Sequence, residues 1–291
     1  MADMVYLNGS IVPRSEARIS VFDHGFLYGY GLFETMRAYN GWIFRLEKHL
    51  ERLEKSAVSI GLNLTGTDLA QACRDTLEAN ESKSARIRLT ISHGESDIFP
   101  WQESAGRPTV VITAREYRPL SSEVYRRGFK IGISSCRRSR HSSLSGIKST
   151  NYLVSVLARR EAVEKGFDEG LLLNEDGYIT EGSTSNIFFM DASGLVTPPL
   201  ESGILPGITR DVVIEIAGIL GIRVTEENIT PADLSRFQQA FVTASTMEIM
   251  PVASIISQDN KTTVFQSDGP GEINPRLMSA YKEKVTEETG G

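Results

Sequence analysis

Residues 132–166 read GISSCRRSRHSSLSGIKSTNYLVSVLARREAVEKG, and one lysine in the middle, Lys148, governs how the chain is understood. An apolar, strand-like start gives way to a Ser/Arg-rich loop (134–145) and then to a helix-forming run. Ser149 and Thr150 are good N-cap residues, so the pattern predicts a helix over 149–165 with Lys148 at its positive end. That position disfavours the ammonium form, and only the free amine attacks a carbonyl. Lys148 therefore reads either as a nucleophile or as an ordinary solvated loop lysine.

Outward from this stretch, EGLLLNEDGYITEG and NIFFMDASGLVTP each read as strand, turn, strand. LPGITRDVVIEIAGILGI is a breaker followed by a helix, and QQAFVTASTMEIMPVASI suggests a strand, a turn and a short strand. On the other side, REYRPLSSEVYRRG shows neither helical nor strand periodicity and reads as a linker. Before it, Asn8-Gly9 and Asn40-Gly41 each sit between apolar runs, the signal of a two-residue hairpin. RLEKHLERLEKSAVSIG and TDLAQACRDTLEAN carry helical spacing, and SARIRLTIS alternates so that Arg86 and Arg88 share one face of a strand. The expected organisation is an α+β domain over 1–117, a linker over 118–128 and an α/β domain over 129–291.

Other positions carry possible chemistry. Glu181 ends a strand in a Gly/Ser-rich turn, where neighbouring hydroxyls and Asn186 could hold a carboxylate facing a cationic ring nitrogen; it could equally be an exposed turn acid. Gly207 precedes Ile208 and Thr209, whose N–H groups open a helix and suit a phosphate, although a plain Pro-Gly turn fits the same residues. The hydroxyls of TAST (243–246) could join that phosphate or cap a turn. Arg52 lies beside the apolar stripe of its helix, where a guanidinium can fork onto a phosphate.

With 291 residues, 40% hydrophobic, the chain can bury two moderate cores. The net charge of −6 comes with no long Lys/Arg block, which argues against a nucleic-acid partner. Two cysteines and four scattered histidines show no metal-ligand or disulfide spacing, so no metal is expected. The N-terminal MADMVYLNGS lacks signal-peptide character, no apolar run reaches about 18 residues, and the cytoplasm is the expected compartment. GYGLFE has only part of a dinucleotide-binding glycine pattern, and neither a nucleophile elbow nor a P-loop is found.

Taken together and in order, FDHGFLYGYGLFETMRAYNG, RLEKHLERL, ARIRLTISHG, GIKSTNYLVSVLARREA, GYITEGSTSNIF, SGILPGITRD and TASTMEIMPV resemble the class IV, or fold type IV, pyridoxal-phosphate aminotransferases. This family includes branched-chain and D-amino acid aminotransferases and aminodeoxychorismate lyases. The resemblance implies a two-domain, D-amino acid aminotransferase-like fold with pyridoxal 5'-phosphate between the domains, and a homodimer in which a neighbouring subunit's loop helps close the pocket. By the same resemblance Lys148 looks like the lysine that links to the cofactor, and Glu181 like the acid on the pyridine nitrogen. Arg52, Ile208, Thr209, Ser245 and Thr246 match the phosphate cup, Leu205 the residue on the ring face and Tyr152 the tyrosine near the ring hydroxyl.

Tyr28, Phe33, Arg86, Arg88, Thr246 and Met247 fall at substrate positions of the branched-chain enzymes, Arg88 being the strand arginine that receives glutamate's side-chain carboxylate and Arg86 a second cation on the same face that could admit a different carboxylate. The resemblance thus implies amino transfer between branched-chain L-amino acids or L-glutamate and a 2-oxo acid such as 2-oxoglutarate. Ile98 and Pro100 stand where D-amino acid aminotransferases carry an Arg-x-His carboxylate trap. Arg86 departs from the pattern, since the branched-chain enzymes usually place a tyrosine there. Aminodeoxychorismate lyase and D-amino acid or (R)-amine transaminase remain the alternatives, with a non-catalytic metabolite-binding dimer as the reading of a different class.

Overall fold

A computed structural model of the protein describes residues 3–64, 66–96, 107–265 and 273–290. Ile98 and Pro100 lie outside the described residues. The described residues form two compact units. The first holds Arg118 and the residues before it, Ile147–Asn151 and the residues from Val285 on; the second holds Pro119–Gly146 and the residues from Tyr152 to Lys284. This differs from the contiguous division expected above, because the segment carrying Lys148 groups with the first unit. No described helix is long and apolar enough to cross a membrane.

The first unit is built on a six-stranded antiparallel sheet of β1 (Met4–Leu7), β2 (Ser10–Pro13), β3 (Gly31–Tyr39), β4 (Trp42–Ile43), β5 (Ala85–Ser92) and β6 (Thr109–Glu116), in the order β2-β1-β6-β5-β3-β4. Both expected hairpins form: Leu7 pairs with Ser10 and Tyr39 with Trp42. Asn8 (φ 49°) and Gly9 (φ 99°) both take positive φ, which that two-residue turn requires. One sheet face packs against the helices α2 (Leu46–Ile60) and α3 (Leu69–Ala79), burying Leu32, Met36, Ile87, Leu89 and Ile112 with Leu53, Ala57, Ala72 and Leu77. A short helix, α1 (His24–Tyr28), precedes β3; Asp23 caps it by accepting from the Gly25 N–H. The side-chain alternation of β5 buries Ile87, Leu89 and Ile91 and leaves Arg86 and Arg88 exposed on the opposite face, as its sequence predicts.

The second unit contains β7 (Phe129–Arg137), β8 (Glu169–Leu173), β9 (Ile179–Gly182), β10 (Asn186–Asp191), β11 (Gly194–Thr197), β12 (Val224–Glu226), β13 (Gln239–Ala244), β14 (Glu248–Ile256) and β15 (Thr262–Val264). They form one mixed sheet in the order β12-β11-β10-β13-β14-β7-β8-β9, with β15 pairing β14. The pairings β7/β8, β7/β14 and β11/β12 are parallel. The stretch expected to be a structureless linker instead contains α4 (Ser122–Arg127), tied down by the Tyr125 hydroxyl donating to the Met247 carbonyl at 3.0 Å.

The helix expected over 149–165 begins four residues later, as α5 (Leu153–Glu164). Residues 148–151 are spent on pairing with β3 and the loop before it. Phe33 N–H donates to the Lys148 carbonyl (2.9 Å), Thr150 N–H to the Gly31 carbonyl (2.9 Å), and the Thr150 hydroxyl to the Gly29 carbonyl (2.7 Å). A backbone committed to sheet-type bonds cannot also close helical i→i−4 bonds. Lys148 therefore sits in an extended edge segment, and a helix dipole acting at its amine has no basis here.

Candidate active site

In the first unit, Lys148 is partly buried, with Nζ 4.6 Å from the centroid of the Phe33 ring. The Arg88 guanidinium carbon lies 3.9 Å from the same centroid. An amine and a guanidinium thus meet on one buried aromatic ring, each attracted by its π face. The isolated bridge between Leu32 and Ser149 fixes the backbone on the C-terminal side of the lysine. Tyr28, by contrast, ends α1 half exposed, its ring edge-on to His24 at 5.2 Å.

Behind Phe33 on the chain, Glu34 points to the helix-covered face and is almost completely buried. Its carboxylate accepts from Arg52 Nε (2.8 Å), Arg52 Nη2 (2.6 Å) and His49 Nδ1 (2.8 Å). Burial alone would raise the Glu34 pKa, but the Arg52 charge and the His49 and Arg52 hydrogen bonds outweigh it and hold the carboxyl at about 2. Burial also lowers the pKa of His49; Glu34 opposes that shift, while Arg52 and Lys148 add to it. Arg52, expected as a phosphate ligand, has its fork on Glu34. Glu34 occupies two of its five N–H donors and sets the plane of the guanidinium. Neither Glu34 nor His49 was identified from sequence; the spacing of His49 and Arg52, three apart on α2, was the available signal.

In the second unit, Glu181 is buried at the end of β9. Contrary to the sequence expectation, neither the hydroxyls that follow it nor Asn186 holds it. Ser183, Thr184 and Ser185 turn their hydroxyls to a different acid, the fully buried Glu169, and Asn186 donates to the Leu205 carbonyl at 3.0 Å. Glu181 instead accepts the Leu205 N–H at Oε2 (2.9 Å) and pairs with Arg138 Nε at Oε1 (3.1 Å). Arg138 belongs to the Ser/Arg-rich loop, whose composition assigns it no role. The Tyr152 hydroxyl donates to the Ser183 carbonyl (3.1 Å), and its pKa is raised, chiefly by burial and next by the Glu181 charge.

The helix α6 (Ile208–Ile219) starts at Gly207 with no side chain capping it. The first amides of a helix lack intrahelical acceptors, and those of Ile208 and Thr209 have the orientation that suits an anion. A Cβ on Gly207 would come within 1.9 Å of Asn186 Oδ1, so only glycine lets the chain approach there. Asn186 pairs in register with Thr243, whose buried Oγ1 has no hydrogen-bond partner among the described residues. Ser245 and Thr246 follow in the turn between β13 and β14. The Met247 side chain, expected at a substrate position, is buried in the second core beside Met250 and Val252, and its carbonyl accepts from the Tyr125 hydroxyl.

The amino-transferase class IV family model matches residues 31–255, and the chain belongs to this family. A branched-chain-amino-acid aminotransferase of Escherichia coli (strain K12) is 33% identical over 298 residues, covering 99% of this chain and 94% of that protein. An aminodeoxychorismate lyase of Bacillus subtilis is 33% identical over 286 residues, covering 97% and 94%. A solved structure of the T.th. branched-chain amino acid aminotransferase with pyridoxamine 5'-phosphate superposes with a TM-score of 0.90 at 32% identity, covering 99% of this chain and 95% of that one. The chain is thus a pyridoxal-phosphate-dependent aminotransferase of fold type IV. Each unit by itself carries groups of the kind that cofactor needs: the first an amine at Lys148, the second a buried carboxylate at Glu181 held by a cation, an uncapped helix start at Gly207 and, among the described residues, an unpartnered buried hydroxyl at Thr243.

Proposed function

We propose that the protein transfers the amino group between branched-chain L-amino acids or L-glutamate and a 2-oxo acid such as 2-oxoglutarate, acting as a homodimer. The observation that carries this reading is the convergence of Lys148 and Arg88 on the Phe33 ring, a nucleophile next to a charge suited to glutamate's second carboxylate. Pyridoxal phosphate, when bound, supplies an aldehyde for covalent attachment and a ring that takes up the electron pair left at Cα.

The chain's residues do the rest. Lys148 Nζ would hold the cofactor through its aldehyde and, as a free amine, would serve as the base and acid for the substrate's Cα proton. Glu181 would face the ring nitrogen, its carboxylate held in position by Arg138 and the Leu205 N–H. The Ile208 and Thr209 amides, the Ser245 and Thr246 hydroxyls and Arg52 bind the phosphate, with Glu34 fixing the Arg52 plane. Tyr152 supports the ring hydroxyl, Leu205 covers the ring face, and Phe33 and Tyr28 supply apolar surface for a branched side chain.

A second reading, aminodeoxychorismate lyase, is favoured by the lyase relative and by Arg86, an extra cation beside Arg88 on β5. The test is a half-reaction panel that follows the cofactor band with L-leucine, L-glutamate, D-alanine, a simple (R)-amine and aminodeoxychorismate. Fast response to L-leucine and L-glutamate supports the transaminase; response to aminodeoxychorismate alone, with pyruvate released, overturns it.

A further inference from the structure

The face of the first sheet that its helices leave uncovered carries a row of three arginines, Arg37, Arg86 and Arg115, of which the proposed transaminase chemistry uses none. Sheet register places Arg37 of β3 opposite Arg86 of β5, and Arg86 opposite Arg115 of β6. Directly opposed residues share a face, so three cations stand abreast within about 10 Å across the strands. Like charges directly opposite each other destabilise a sheet. Among the described residues, neither the Arg86 nor the Arg115 side chain has an ion-pair or hydrogen-bond partner, and both are exposed. The nearby acids are engaged elsewhere, Asp3 with Arg14 (3.2 Å) and Glu116 with Arg118 (3.7 Å). Arg37 is buried and clamped between two aromatic rings, its guanidinium carbon 4.3 Å from the Tyr39 centroid and 4.6 Å from that of Tyr117. The clamp fixes one end of the row.

The next row on the same face, two residues along the strands and roughly 7 Å away, is Thr35, Arg88 and Thr113. Arg88 is the residue stacked on Phe33, with Lys148 on the same ring. The cationic face is thus continuous from the amine outward. We propose that Arg86 and Arg115, with Arg37 behind them, form a distal anion subsite, so that the substrates include amino and 2-oxo acids with a carboxylate farther from the α-carbon than glutamate's, or with one carboxylate more. This deepens the transaminase reading above and rests on it for the direction in which the substrate lies. A second carboxylate there gains charge-assisted, bidentate bonds to guanidinium groups and relieves the repulsion within the row.

The experiment uses the holoenzyme and the R86Q/R115Q double variant, with R86K/R115K to separate charge from shape. Binding of adipate, tricarballylate and hexanoate is measured by calorimetry at constant ionic strength, and steady-state kinetics are taken with L-2-aminoadipate, L-glutamate and L-leucine. The glutamine variant is expected to bind tricarballylate at least tenfold more weakly and hexanoate within twofold of the parent. Its KM for aminoadipate should rise at least tenfold with kcat within twofold, and the lysine variant should recover part of the loss. Unchanged tricarballylate binding, or equal losses for tricarballylate and hexanoate, overturns the subsite. A shift in sedimentation with anion affinity intact also overturns it, by assigning the row to a subunit contact. If the loaded parent enzyme transfers no amino group from any donor, the transaminase reading fails while the calorimetry still judges the subsite.

Discussion

Arg138 Nε lies 3.1 Å from Glu181 Oε1, while the other carboxylate oxygen takes the Leu205 N–H at 2.9 Å. One acid is thus gripped from both sides, by a charge from the loop after β7 and by a backbone amide just ahead of α6. The arrangement fixes the position of the Glu181 carboxylate, as a group that must face one atom of a bound ring requires. Glu181→Gln should therefore retain the cofactor but slow turnover by roughly a hundredfold or more, the scale of losing one preorganised electrostatic contact at a reacting centre. Rapid-quench kinetics with L-glutamate, alongside the cofactor's absorbance, checks it; a rate within a few-fold of the parent refutes the assignment.

Lys148→Ala should abolish amino transfer and leave no cofactor covalently trapped after borohydride reduction. Intact-protein mass spectrometry reads the adduct directly. A variant that still carries the reduced cofactor mass would place the attachment at another lysine.

The buried Glu34 predicts an acid transition. Its folded pKa of about 2 lies below the ordinary 4.5, so the ionised form favours the folded state. That stability, on the order of 3 kcal/mol, is present above about pH 4.5 and drains away as pH falls towards about 2. Urea midpoints recorded from pH 7 to pH 3 should fall steeply at the acid end in the parent and more gently in Glu34→Gln. At neutral pH the variant itself should be less stable by about 3–5 kcal/mol, because Arg52 is left buried without its counter-charge.

Gly207→Ala should be tolerated by the backbone, since φ there is −75°, yet its methyl would collide with Asn186 Oδ1. Overpacking of this kind costs about 1–3 kcal/mol. Cofactor affinity should fall by at least tenfold, because the displaced segment begins α6. Shortening the neighbour in Gly207→Ala/Asn186→Ala should recover stability; equilibrium dialysis with pyridoxal phosphate measures the affinity.

Arg88→Ala should raise the KM for L-glutamate far more than for L-leucine, whose side chain has no charge to place. Equal effects on the two substrates would mean that Arg88 serves only to cover Phe33.

Local signals in the chain determined much of this. Asn-Gly pairs at 8–9 and 40–41 force the two hairpins because few other residues accept positive φ, and strict alternation in β5 sorted Ile87 and Leu89 from Arg86 and Arg88. Gly207 before Ile208 marked a helix start, and the order of seven short motifs pointed to the family. Tertiary structure decided the rest, wherever a group had more than one possible partner. Ser149 and Thr150 can cap a helix, but pairing with β3 claimed their backbone first. The hydroxyls after Glu181 could have served that acid, yet the fully buried Glu169 needed them more, since an unsatisfied buried carboxylate is costly. Arg52 turned to Glu34, 18 residues away on a strand, and three arginines from three strands became neighbours only through sheet register. Distances between such partners are set by packing of the whole unit, and no local window of sequence contains them.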